Sequence, residues 1–241
     1  MNGERGGAVA FVAGATGYTG VEVVRELCAR GVTTIAHVRP DSPRLETWRR
    51  RFGELGAATD ATPWDGAAMA ATLERLAPTH VFCLIGTTRA RGRQAARAGG
   101  PAETYESVDY GLTRLLAEAT ARAAPGARFL YLSSIGAGPR ARGAYLQARW
   151  KAETAVRSSG LDHIIVRPSF ITGADRPERR AGERAVAALV APLLGVAAAL
   201  GARRLRARYR PRTAGELAGA LVRLALEPGG GGRVVESEEL G

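Results

Sequence analysis

Ala8-Val9-Ala10-Phe11-Val12-Ala13-Gly14-Ala15-Thr16-Gly17-Tyr18-Thr19-Gly20 stands near the start of a 241-residue chain and decides how the rest is read. Residues 8–13 are an unbroken apolar run ending at glycine, the pattern of a strand buried on both faces. Over 17–30 apolar residues recur at helical spacing (Val21, Val24, Leu27, Cys28), and Gly31 follows where a helix would stop. A strand that turns through glycines into a helix offers unpaired N–H groups and a positive dipole end, which suits a pyrophosphate. The glycines let backbone approach the phosphates and let the helix pack closely on the strand. Gly14, Ala15, Thr16, Gly17, Tyr18 and Thr19 are therefore the expected phosphate-binding residues.

Outward from this unit, strands and amphipathic helices alternate with short connections. Strands are expected at 33–39, 56–62 (the weakest), 80–86, 128–134, 161–167 and 233–236. Helices are expected at 45–52, 67–76, 102–124, 145–159 and 213–226, with a long Gly- and Arg-rich loop over 87–101. The alternation predicts an α/β fold, a doubly wound parallel sheet of Rossmann type. Residues 1–168 form the expected dinucleotide-binding core. Residues 169–241 form a C-terminal part in which a small helical substrate lobe, about 169–212, completes the sheet edge.

Composition narrows the class. The net charge is +11, yet Lys151 is the only lysine and every other cation is arginine, a bias that weakens the case for nucleic acid. No zinc-finger spacing and no aromatic-interleaved basic stripe supports that partner. No apolar run reaches membrane-spanning length, and no signal-peptide pattern opens the chain. Cys28 and Cys83 read as core thiols of a reducing compartment, and neither they nor His37, His80 and His163 form a metal site. A cytoplasmic protein acting on a small molecule is expected.

The end of the second strand sets the cofactor. An acid there would accept from a ribose 2′-hydroxyl; this chain has Arg39, which suits a 2′-phosphate, so NADP is expected rather than NAD. Gly86, Thr87 and Thr88 end the fourth strand and face the middle of the dinucleotide. Asp65, or alternatively Asp60, is placed to accept from the adenine amino group. Pro168, Ser169 and Phe170 follow the sixth strand and wall the nicotinamide. Arg89, Arg91, Arg93 and Arg97 prompt a weaker idea, a pocket for an anionic substrate.

The spacing Gly14-x-x-Gly17-x-x-Gly20 resembles that of the extended and atypical short-chain dehydrogenase/reductases. Cys83-Leu84-Ile85-Gly86-Thr87-Thr88-Arg89, Leu132-Ser133-Ser134-Ile135-Gly136-Ala137, Tyr145-Leu146-Gln147, Val166-Arg167-Pro168 and Arg180-Ala181-Gly182-Glu183 look like motifs of the Tat-interacting oxidoreductases, an atypical branch. The resemblance implies an NADP(H)-binding reductase and fixes no substrate. In such enzymes a tyrosine gives the proton, a serine orients the substrate oxygen, and a lysine one helical turn after the tyrosine supplies positive charge. These roles carry over to Tyr145 and Ser134, with Ser133 beside the cofactor. The position four after Tyr145 holds Arg149, a departure from the pattern; arginine keeps charge and donors but is planar and larger. Lys151, six after Tyr145, is expected to be solvated, and Tyr105 and Tyr110 are outside candidates for the proton donor.

Two readings follow. One is an NADP(H)-dependent oxidoreductase that reduces a carbonyl or related unsaturated small molecule, or catalyses the reverse oxidation. The other is a non-catalytic NADP(H)-sensing or partner-binding protein of the same fold, which the lysine-to-arginine departure favours.

Overall fold

The computed structural model describes residues 7–88, 92, 103–169, 209–229 and 231–240. The glycine turn joins β1 (Val9–Ala13) to α1 (Tyr18–Ala29), and Gly31 closes α1 with a positive φ of 71°. Then come β2 (Thr33–His37), α2 (Leu45–Glu54), β3 (Ala58–Asp60), α3 (Gly66–Leu76) and β4 (His80–Cys83). A π-helical stretch, Tyr105–Leu112, leads into α4 (Thr113–Ala123). The chain continues through β5 (Arg128–Leu132), α5 (Ala144–Ser158), β6 (His163–Arg167), α6 (Ala214–Leu226) and β7 (Arg233–Glu236).

The seven strands form one parallel sheet in the order β3-β2-β1-β4-β5-β6-β7. This is the doubly wound arrangement expected from the alternation of elements, with its switch point between β1 and β4. Side chains alternate across the sheet and build two cores. Val12, Phe82, Leu130, Ile164 and Val166 meet α1, α2 and α6 on one face. Phe11, Val81, Cys83, Phe129 and Tyr131 meet α3, α4 and α5 on the other. Burial of both faces explains why the strands read as continuous apolar runs.

The differences from the expected elements have local causes. β2 ends at His37, where its last partner on β3 is Asp60, so Arg39 lies outside the ladder. The single helix expected over 102–124 instead begins as the wider π-helical stretch, which carries the buried Asp109. Ser133 and Ser134 lie past β5, not within it. The strand expected at 233–236 pairs with β6 as β7, and α6 packs on the α1 face, so the described C-terminal residues join the same sheet and layers. The helical lobe between 170 and 208, the Gly- and Arg-rich loop except residues 87, 88 and 92, and Phe170 lie outside the described residues.

Both cysteines are free thiols. Cys83 is buried, and burial pushes its thiol up to about 11, in keeping with an unreactive core residue. Among the described residues no helix is long and apolar enough to cross a membrane, and no three potential ligands cluster around a metal position.

Candidate dinucleotide site

The glycine turn is as tight as its sequence requires. Gly14 has a φ of 82°, and a Cβ there would sit 2.6 Å from the Leu84 carbonyl oxygen. A Cβ on Gly20 would run into the Gly14 carbonyl oxygen. The Gly17 N–H donates to Gly14 O at 3.0 Å, and Gly17 opens α1 with no side-chain cap. An uncapped helix start behind a turn with no room for a Cβ at Gly14, at the switch point of the sheet, fits a pyrophosphate. Gly14, Ala15, Thr16, Gly17, Tyr18 and Thr19 would hold it.

Arg39 stands just past β2 and is about half exposed. It donates to Glu103 at 2.6 Å and lies 3.8 Å from Asp41. Glu103 also accepts from the Thr87 hydroxyl at 3.4 Å. The Thr87 N–H donates to the buried Asp109 carboxylate at 3.0 Å. The Thr88 carbonyl accepts from the Gly92 N–H.

Beyond β4 and β5 lies a buried ionic knot. Arg149, on α5, reaches under the strand ends. One guanidinium nitrogen donates to Leu132 O at 2.8 Å, to Ile85 O at 3.2 Å and to the Tyr131 hydroxyl at 3.2 Å. The other lies 3.0 Å from Asp109. Burial pushes the Asp109 carboxyl above the ordinary value, while Arg149 and the Thr87 N–H pull the other way. For Arg149, burial works against the charge. Tyr131, Tyr145 and Asp109 more than offset it and leave the guanidinium firmly charged. Burial likewise raises the Tyr131 hydroxyl above the ordinary tyrosine value.

Tyr145, one turn before Arg149, lays its ring 5.3 Å from the guanidinium carbon and edge-on to Tyr105 at 5.2 Å. Ser134 is half-buried, and its hydroxyl makes one long contact, 3.4 Å, to Ile135 O. Tyr145, Arg149 and the strand ends are thus brought together, and Ser134 lies two residues past β5. Lys151 is exposed, paired with Glu106 at 2.7 Å, as expected of a solvated residue.

Several expected cofactor contacts have other partners. Asp65 accepts from Ala67 N and Ala68 N and so caps α3, the usual fate of an Asp one residue before a helix. The alternative, Asp60, is bound by Thr62 through its backbone N–H and hydroxyl. Gly86 makes room for protein: a Cβ would meet the Arg149 guanidinium at 2.5 Å. Ser133 donates to the buried Glu153 at 2.6 Å. Ser169 donates to Arg210 O at 2.7 Å and Pro168 O accepts from Ile135 N, so both tie loops together.

Sequence reading missed Asp109, Glu103 and Glu153. Glu153 takes Arg167 through two bonds of 2.7 and 2.8 Å and Arg157 at 2.8 Å, joining α5 to β6. A signal existed for two of them. Asp109 shares a helical face with Leu112, Thr113 and Leu116, and Glu153 shares one with Ala152 and Val156; an acid at a core-facing position needs a buried cation.

Comparison with known proteins places this geometry in a family. The mitochondrial protein fmp52-1 of Aspergillus oryzae is 31% identical over 181 residues, 72% of this chain and 69% of the relative. The expectation of a cytoplasmic chain does not stand against it and the similar fungal Fmp52 proteins, which are named as mitochondrial. A ceramide reductase of Caulobacter vibrioides is 34% identical over 167 residues, 68% of this chain but 47% of the reductase, so this chain matches less than half of that relative. Among solved structures, an anaerobillin reductase from Escherichia coli O157:H7 superposes with a TM-score of 0.62 at 16% identity, covering 95% of this chain and 97% of that one, a likeness of fold. A family model described as NAD(P)H-binding matches residues 14–189, from the glycine turn through β6 and beyond, and the chain belongs to that NAD(P)H-binding family.

Proposed function

We propose that this chain is an NADP(H)-dependent oxidoreductase that reduces a carbonyl or related unsaturated small molecule, or catalyses the reverse oxidation. The observation that carries this reading is the charged Arg149 guanidinium held 5.3 Å from the Tyr145 ring. A fixed cation beside the ring stabilises negative charge as the phenol gives up its proton. Tyr145 is the proton donor to the substrate oxygen, and Ser134 donates a hydrogen bond to the same oxygen. Arg149 differs from a lysine in that its two terminal nitrogens are engaged by strand-end carbonyls, the Tyr131 hydroxyl and Asp109. It therefore acts through charge and leaves the ribose to other groups. The dinucleotide, held on the turn at 14–20, supplies hydride chemistry when bound. Arg39 supports the NADP(H) preference, because its fork suits a 2′-phosphate. The similarity to reductases supports the reaction class.

The same commitment of Arg149 favours a second reading, in which the chain binds NADP(H) without turnover and signals its level to a partner. NADPH consumption against a panel of aldehydes, ketones and enones separates the two. The oxidoreductase reading predicts turnover of at least one class, with Tyr145→Phe lowering kcat by about a hundredfold or more while NADPH affinity holds. Tight NADPH binding with no turnover across the panel would establish the second reading instead.

A further inference from the structure

Arg39 and Thr87 flank the carboxyl end of β1, Arg39 two residues past β2 and Thr87 four residues past β4. One carboxylate joins them. Glu103 accepts from Arg39 at 2.6 Å through one oxygen and from the Thr87 hydroxyl at 3.4 Å through the other. The three side chains cross the switch point of the sheet, where a dinucleotide lies in folds of this order. Glu103 is the better anchored partner, 20% exposed against 52% for Arg39. Asp41, the other acid near Arg39, is 75% exposed and 3.8 Å away.

Resting on the NADP(H) reading, the geometry points to Glu103 as a built-in competitor for the cofactor's 2′-phosphate. The guanidinium that would read the phosphate is already paired. A phosphate brings more negative charge and a third acceptor oxygen, so it can take Arg39 from the carboxylate. A ribose with a bare 2′-hydroxyl is a neutral acceptor and leaves the ion pair in place. Once displaced, Glu103 remains beside Thr87 as a negative charge near the phosphate. Glu103 therefore tempers NADP(H) affinity and shortens the residence of the cofactor, while affinity for NAD(H) is set elsewhere in the groove.

The test is a titration of NADPH and NADH into the native chain, Glu103→Gln, Arg39→Ala and the double variant, with Glu103→Ala as a second removal of the charge. Each removal of the Glu103 charge should tighten NADPH about fivefold, as expected for one partly exposed ion pair, and shift NADH less than twofold. In the Arg39→Ala background the Glu103 change should tighten NADPH clearly less, through the loss of charge repulsion alone. Unchanged or weaker NADPH binding in both Glu103 variants, with Arg39→Ala still selectively weakening NADPH, overturns the competitor role and leaves the 2′-phosphate reading standing. Equal weakening of NADPH and NADH by Arg39→Ala overturns that reading and this inference with it.

Discussion

Arg149→Met is expected to destabilise the fold by about 3–5 kcal/mol, the range found when one partner of a buried ion pair is removed. The substitution leaves Asp109 without its cation. The carbonyls of Ile85 and Leu132 and the Tyr131 hydroxyl each lose a donor. Methionine replaces the apolar stem only as far as Nε, so the place of the guanidinium is left both uncharged and underfilled. Arg149→Lys restores the charge but not the fork. A single ammonium cannot span acceptors from the ends of β4 and β5 and from Asp109 together, and about 1–3 kcal/mol should remain lost. Adding Asp109→Asn to Arg149→Met removes the stranded carboxylate and should recover part of the stability. Urea unfolding of the four proteins measures this. A loss under 1 kcal/mol in Arg149→Met would show that the knot is dispensable and that arginine stands here for another reason.

Gly20→Ala should cost about 3 kcal/mol, the upper end of ordinary overpacking, and should remove dinucleotide binding. The added methyl runs into Gly14 O and approaches Ala15 O at 2.8 Å, and both are backbone atoms that cannot swing aside. Relief requires α1 to back away from β1, which opens the turn and misdirects the N–H groups at its start. Gly53 makes a useful control, because it also lies in a helix and a Cβ there meets nothing within 4 Å. Gly53→Ala should be neutral or slightly stabilising, since alanine is the better helix former. Comparable losses at both positions would mean that close approach to the Gly14 and Ala15 carbonyls is not what makes Gly20 necessary.

These two sites mark where the sequence was legible and where it was not. The glycine turn, the seven strands and the two helical layers follow from local patterns: apolar runs for strands buried on both faces, helical periodicity between them, and Gly31 as a stop. Helical period also placed Arg149 on the side of α5 that bears Tyr145. Period says nothing of depth, however, and the guanidinium sits under the sheet only because Gly86, 63 positions earlier, has no Cβ to block it. Ser133 and Ser134 are adjacent in sequence but turn to different neighbours. Ser133 was read toward the cofactor because the acid that claims it, Glu153, is 20 residues away on another element. Arg39 was recognised by type and position, whereas its partner Glu103 lies 64 residues on and leaves no trace in the local pattern. Asp65 shows the reverse case: an Asp before a helix is a cap by local chemistry, and one of its carboxylate oxygens takes both cap N–H groups.

The claim on which the rest depends is that a single NADP(H) seats its phosphates on residues 14–20. Amide hydrogen exchange of the native chain, followed residue by residue with and without saturating NADPH, tests it most directly. Slowed exchange is expected at Thr16, Gly17, Tyr18 and Thr19, where α1 begins without a side-chain cap, together with Thr87 across the switch point. Saturable NADPH binding that leaves those amides unchanged and protects a different part of the sheet would contradict it.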